Sequence, residues 1–279
     1  MLVLRKLLRD IPAVIGLLII LAIVFTAIFA WQIMPHPDRV YGTNILNRLK
    51  PPSQTWLMGT DALGRDIFSR VILGTRSALT IALGVVGLSM LIGVPLGLYA
   101  GYSRGTGSSI VMRVADLFLA VPQLILALAV AQLLSRGMES AMIALSLTYW
   151  PFFARTAYSE TLRVRQALFI EALEGLGASP LRIVACHILP NIAAPLIVRA
   201  TIGMGFMILM AATLGFLGIG ATPPAPEWGL MISESRQYLP QSWWYATFPG
   251  LAILLTVLGF NLLGDGLRDL VDPRLRRSR

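Results

Sequence analysis

Charged residues interrupt this chain at wide intervals, and between them run six stretches that carry no charge: 13–33, 77–101, 117–135, 140–154, 200–226 and 237–264. A helix needs about 20 apolar residues to cross roughly 30 Å of hydrocarbon, so most of the six are long enough to span a bilayer. The fourth, closed off by Glu139 and Arg155, is short, and it spans only if Arg155 reaches back to the interface along its own aliphatic stem. The pattern predicts an all-α integral membrane protein with six transmembrane helices. In the second stretch Gly93, Gly97 and Gly101 recur every fourth residue with Pro95 among them. Such a face lets a neighbouring backbone approach closely, so helix packing is the expectation for it, ahead of any role in a solute path.

Composition points the same way. At 56% hydrophobic and 13% charged residues, with mean hydropathy +0.73, a chain of 279 residues has too little polar surface to coat a soluble globule. The first apolar run follows Arg5, Lys6 and Arg9 as a secretory signal would. It is longer than a signal core, and the bulky Ile28 occupies the −3 position of a cleavage site after Ala30, so a retained anchor is expected. With both ends and the second and fourth loops placed inside, fifteen of the 23 Lys and Arg fall on the inner side, which predicts cytoplasmic termini.

The formal charge of +9 does not signal nucleic acid. Basic residues are scattered between apolar runs, and the one cluster, from Arg274 to Arg279, reads as a membrane flank. One cysteine, Cys186, and two histidines, His36 and His187, allow neither an internal disulfide nor a thiolate or imidazole metal cage. Cys186 and His187 are neighbours on a helix and point in different directions, so they read as interface or packing residues rather than a nucleophile and its base. No HExxH, no Gly-x-Ser-x-Gly and no pair of intramembrane aspartates is present.

Nor is there a nucleotide site. A P-loop needs a Lys followed by Ser or Thr, whereas Lys6 precedes Leu7 and Lys50 precedes Pro51. The rival class, an ion-gradient-driven transporter or channel, usually places ionisable groups near mid-membrane. Here Asp116, Glu139, Arg155, Arg199 and Asp265 stand at the ends of the apolar windows instead.

The loop between the fourth and fifth stretches, 161–195, is long, amphipathic and on the basic side. Gly177 is suited to end one short helix in a left-handed conformation, Ser179 to cap the next, and Pro180 to sit in its first turn. On the first helix Phe169, Ala172, Leu173 and Leu176 form an apolar ridge edged by Glu171 and Glu174. Something has to bury that ridge, and periodicity alone leaves open whether a partner, the headgroup layer or the chain's own helices do so.

Glu171-Ala172-Leu173, then Gly177, then Leu189-Pro190, resembles the EAA loop of type I ABC importer permeases, whose pattern is Glu-Ala-Ala, a glycine four residues after the last Ala, and a later Leu-Pro. Leu173 replaces the second Ala, and His187 stands where the general pattern has Ile. Gly59-Thr60-Asp61, Gly64-Arg65-Asp66, Ser69-Arg70, Gly74 and Arg76 are similar to the leader of dipeptide, oligopeptide and nickel permeases. So are Gly215-Phe216-Leu217-Gly218-Ile219-Gly220, Pro223-Pro224, Pro226-Glu227-Trp228-Gly229, and the end from Phe248-Pro249-Gly250 through Asn261, Asp265, Arg268 and Asp269 to Asp272-Pro273. The match is to the second of the two permease subunits of such importers.

The resemblance implies the type I importer permease fold: an anchor helix and first outer loop over 1–76, a permease domain over 77–266 and a basic cytoplasmic tail over 267–279. It implies residence in a bacterial or archaeal inner membrane and alternating access. Partners would be a paralogous permease subunit, two ABC ATPase subunits that bind the ATP and Mg, an extracytoplasmic solute-binding protein and membrane lipid, with no cofactor in this chain. It implies that the loop is a coupling helix seated in an ATPase cleft, where Glu171 makes the polar contact and Gly177 the bend, with Ala172, Leu189 and Pro190 the further coupling residues that match the motif.

Apart from the resemblance, Asp61 and Asp66 read as turn and helix-capping residues, and 223–228 as a stiff loop at the outer surface with an interfacial Trp228. Gln123, Gln132, Tyr149 and Asn261 either line a path or bridge helices.

Overall fold

The computed structural model describes residues 10–271 other than Arg104, without the side chain of Val271. The flank carrying Arg5, Lys6 and Arg9, the pair Asp272-Pro273 and the tail cluster from Arg274 lie outside the described residues. Within them the regular structure is helical, with one isolated bridge between Thr60 and Asp66. Apart from one helical turn after α1, Ala30–Ile33, and short 3-10 turns, the helices are α1 (Ile11–Ile28), α2 (Ile67–Tyr102), α3 (Thr106–Ala120), α4 (Gln123–Leu133), α5 (Met138–Arg165), α6 (Leu168–Gly175), α7 (Pro180–Ile183), α8 (Leu189–Phe216), α9 (Trp228–Ser235) and α10 (Trp244–Val271). A π turn, Val184–Ile188, joins α7 to α8 without a break, so Pro180–Phe216 is one 37-residue rod.

Among the described residues four helices are long and apolar enough to cross a membrane: α1, α2, the Pro180–Phe216 rod and α10. The α3 and α4 pair makes a fifth only if counted as one span bent by 96°. The uncharged run 117–135 is therefore not one straight helix. Val121 is extended (φ −93°, ψ 134°) because a following proline, Pro122, crowds the helical conformation of the residue before it. The expected fourth span lies inside α5, which has the length but carries Glu139, Arg155, Glu160, Arg163 and Arg165. Arg155 pairs with Asp116 of α3.

The later boundaries also shift. The run 200–226 corresponds to a helix that begins well before it and stops at Phe216, where Gly218 (φ +80°) turns the chain. Arg199 thus sits inside α8 rather than at its end. The run 237–264 begins in a turn, and its helix starts at Trp244.

The glycine face of α2 packs against α5. A Cβ on Gly93 or Gly97 would enter the carbonyl oxygens of Trp150 and Ala154, and one on Gly101 would stand 2.7 Å from Thr161 Cβ. Helix α1 lies along α10 by the same device, Gly16 facing the backbone of Gly259 and Leu263.

A buried ionic clamp ties the first loop to α2, α9 and α10. Arg65 Nε donates to Asp61 Oδ2 at 2.5 Å and its Nη2 to Glu234 Oε2 at 3.0 Å, while Tyr245 donates its hydroxyl to the same Glu234 oxygen at 2.8 Å. Arg70 stands 3.8 Å from both carboxylates and donates to the carbonyls of Val40 and Pro224 at 3.0 and 3.2 Å. Burial disfavours the charged form of Arg65, yet Asp61 and Glu234 outweigh it and hold its pKa above the ordinary value. Asp66 caps α2 through Ser69 N at 2.9 Å, and Asp61 closes its turn by accepting from the N–H groups of Leu63 and Arg65, so both carboxylates have the local roles expected of them.

Trp228 corrects the sequence reading. It is 2% exposed, packed over Gly74, with its indole N–H donating to the Val71 carbonyl at 3.0 Å, so it is a core residue and not an interfacial one. Glu227 before it is buried and caps α9 through Gly229 N and Leu230 N at 2.8 and 2.7 Å. Burial raises its pKa, and the two N–H bonds pull it back.

Candidate functional site

The bend in the 161–195 loop is built by its backbone. Gly177 adopts φ +76° and donates to the Glu174 carbonyl, and Ala178 donates to the Leu173 carbonyl, both at 3.0 Å. This is the Schellman closure of α6, with the left-handed residue at the glycine. Pro180 takes the first turn of α7, as expected. Ser179 holds the N-cap position with extended backbone, but its side chain makes no capping bond. Because Gly177 has open space around its missing Cβ, substitution there acts through the backbone alone. Gly177→Ala should cost about 1 kcal/mol locally, read as faster amide exchange at residues 174–178 with unchanged melting of the bundle.

Ile170, fully buried, and the half-buried Leu173 root α6 in the chain's own core. The rest of the ridge is bare. Phe169 is 45% and Leu176 84% exposed, Ala172 is exposed too, and Leu168 and Leu181 extend the apolar surface. Glu171 is exposed and forms no ion pair with any described residue. Glu174 accepts from the Tyr102 hydroxyl at 3.0 Å, and the Tyr102 ring carries the Arg165 guanidinium at 5.0 Å. A cleft of about 480 Å³ opens behind α6, lined by Ser103, Ser108, Tyr158, Arg165, Glu171 and Glu174. Leu189 and Pro190 are not in the bend but in the first turn of α8, beyond the π turn. Buried Ile183, Ile188 and Ile192 fix that splice against the core.

A second, larger concavity lies along α5, α8 and α10. One part, about 340 Å³, is lined by Tyr149, Phe152, Arg199, Phe206, Val257 and Asn261. Of the polar groups left open by the sequence, Tyr149 and Asn261 face this space, the Gln123 amide is buried without a partner, and Gln132 is exposed.

The family described as binding-protein-dependent transport system inner membrane component matches residues 93–277, and the N-terminal TM domain of oligopeptide transport permease C matches residues 1–52. The chain belongs to the binding-protein-dependent transport permeases. It is 42% identical to the dipeptide transport system permease protein of Alkalihalophilus pseudofirmus, covering 98% of this chain and 89% of that one. It is also 42% identical to the glutathione transport system permease protein of Pectobacterium atrosepticum, over 98% and 90% of the two chains. A chain of the MetNI methionine ABC transporter, solved inward-facing, superposes with TM-score 0.60 at 22% identity, covering 74% of this chain and 98% of that one. That likeness shows the fold, a type I importer permease.

For a permease of this family the clamp around Arg65 and Arg70 is what sequence reasoning missed. The burial of the two arginines is not legible in the motif that carries them, because it depends on Glu234, which arrives from 169 residues beyond Arg65 and brings Tyr245 with it. The useful signal was the density of Asp, Arg and Gly between 59 and 76, too rich for a loop that merely crosses solvent.

Proposed function

We propose that this chain is the second of two related permease subunits of an importer for peptides or related small solutes, with α6 as the element that receives the motion of a separate ATPase subunit. The single observation that carries the reading is the bare ridge of α6 beside an unpaired Glu171, held on a fixed bend that continues as a rod to Phe216. At about 1.5 Å per residue that 37-residue rod is roughly 55 Å long, so a push at residue 177 is delivered across the bilayer. The ridge supplies the apolar contact, Glu171 a charge-assisted bond, and Gly177 the angle between α6 and the rod.

The working assembly has this chain, a paralogous permease, two ATPase subunits that bind ATP and Mg, and an extracytoplasmic binding protein that supplies selectivity. The bend faces the cytoplasm with both termini. The chain before α2 serves as anchor and outer loop, and the transport domain runs from α2 to residue 266, the expected boundary at 76/77 falling within that helix. Peptide cargo is supported by relatives named for dipeptide and glutathione transport.

The purified chain alone should hydrolyse no ATP. In the reconstituted complex, Glu171→Ala removes a contact worth about 1.5–3 kcal/mol and should lower uptake roughly ten- to a hundredfold while ATP hydrolysis continues. Gly177→Val should do the same by turning α6 off its angle. Unchanged uptake in both variants, or crosslinks that place residue 177 outside the cell, would remove the coupling role.

A further inference from the structure

Arg199 is a charged side chain that the coupling scheme leaves unused. It projects from α8 against α5, its guanidinium carbon 4.8 Å from the Phe152 ring centroid and 5.6 Å from that of Tyr149. Gly203, one turn further along α8, makes room for this shelf, since a Cβ there would stand 2.7 Å from the Tyr149 hydroxyl oxygen. The Arg199 Nε is buried and has no hydrogen-bond partner. Among the described residues no carboxylate pairs with it, whereas Arg65 has Asp61, Arg155 has Asp116 and Arg163 has Glu160.

Two cavities meet at this residue. The aromatic one of about 340 Å³ and a wider one of about 700 Å³, lined by Thr156, Glu160, Asn191 and Arg268, share Arg199 and Ile202. They form one groove that starts at Leu209 and widens toward the end of the bundle that carries α6. Pro195 lacks an N–H, so the Asn191 carbonyl four residues earlier has no helical donor and offers an acceptor in the wider part. The groove therefore presents an apolar wall, the half-buried Arg199 without a carboxylate partner among the described residues, and in its wider part the exposed Arg268 beside the Glu160–Arg163 pair and the Asn191 acceptor.

Resting on the reading of this chain as a peptide importer permease, we propose that Arg199, held over the rings of Tyr149 and Phe152, binds the free carboxylate of a peptide in transit. A guanidinium held over aromatic faces by its carbon keeps N–H donors, which match a carboxylate in a two-pronged fit that a lysine ammonium does not reproduce. The side chain is only half-buried, so the solute's carboxylate is screened and held weakly, as release on the far side requires. The same chemistry has a second source, a carboxylate of the neighbouring permease subunit, and the experiment separates the two.

The complete complex, with its binding protein, is reconstituted in proteoliposomes and given labelled alanyl-alanine and ATP. Arg199→Gln should lower uptake on the order of tenfold, and Arg199→Lys, which keeps the charge and loses the fork, should fall between Gln and the unaltered protein. Binding-protein-stimulated ATP hydrolysis and copurification of the second permease should stay within about twofold in both, because no solute contact enters them. Undiminished uptake by Arg199→Gln would overturn the proposal. Loss of copurification or of ATP hydrolysis along with uptake would also overturn it, assigning Arg199 to an ion pair between subunits. If the unaltered complex takes up no alanyl-alanine with ATP, the peptide reading itself falls and this inference falls with it.

Discussion

Asp61→Asn is expected to destabilise the folded protein by about 3–5 kcal/mol, which makes it among the most damaging single changes of near-constant shape in this chain. The Asp61 carboxylate is fully buried against Arg65 and Arg70, whose side chains are 2% and 0% exposed. Asparagine keeps the oxygen that accepts from Leu63 N and Arg65 N at 2.8 Å, so the turn itself survives. What disappears is the charge and, with it, the Oδ2 acceptor, because the amide NH2 that takes its place meets the Arg65 Nε–H donor. Two guanidinium groups are then left with Glu234, which already accepts from Tyr245 and whose side chain is 21% exposed. A buried charge without its counter-charge is costly because neither water nor another dipole replaces the lost field. The control is Asp38→Asn, whose carboxylate is 81% exposed and 3.7 Å from Arg39; it should change stability by less than about 1 kcal/mol. Melting in detergent, followed by tryptophan emission, reads both. Equal melting of the two variants would show that the clamp does not hold the first loop to the bundle.

The contrast between these aspartates also marks where sequence reading stops. Periodicity and charge spacing reveal helices when the determinant is local: the cap at Asp66, the turn at Gly177 and the first-turn Pro180 are written in adjacent residues. They fail where a proline or a distant partner decides. The run 117–135 is uncharged throughout, and nothing in its hydropathy separates a straight span from one bent at Val121-Pro122; only the restriction a proline places on its predecessor does. Trp228 is misread for a related reason. A tryptophan in a proline-rich loop fits a membrane interface, and its burial over Gly74 depends on α2 arriving beneath it. In the bend the motif residues Glu171, Ala172 and Gly177 share one short helix and its closure, while Leu189 and Pro190 belong to the rod beyond it. The ridge is legible as a face, but its bareness is not, because Ile170 anchors α6 and the apolar pattern does not distinguish the anchoring residue from the exposed ones.

Gly97→Leu should prevent accumulation of the folded protein, and Gly97→Ala should already cost about 1–3 kcal/mol, because the atoms that meet a new Cβ there are mostly backbone and cannot swing aside. The Ala154 carbonyl oxygen is the nearest, with Ala157 Cβ at 2.7 Å and the Ala154 carbonyl carbon at 3.0 Å. Relief requires α2 and α5 to move apart along their whole glycine face, which exposes Gly93 and Gly101 contacts as well. Gly87 offers the comparison within the same helix: a Cβ there meets nothing within 4 Å, so Gly87→Ala should be neutral or stabilise by up to about 1 kcal/mol through helix propensity. Detergent-extracted yield and melting temperature measure both variants, and similar values for Gly97→Ala and Gly87→Ala would show that the helices are not in the close contact described. The consequence reaches the bend. α5 ends at Arg165 and α6 begins at Leu168, so any displacement of α5 from α2 moves the bare ridge relative to the rod that starts at Pro180. The small residues of α2 thus set both the stability of the bundle and the position of the bare α6 ridge.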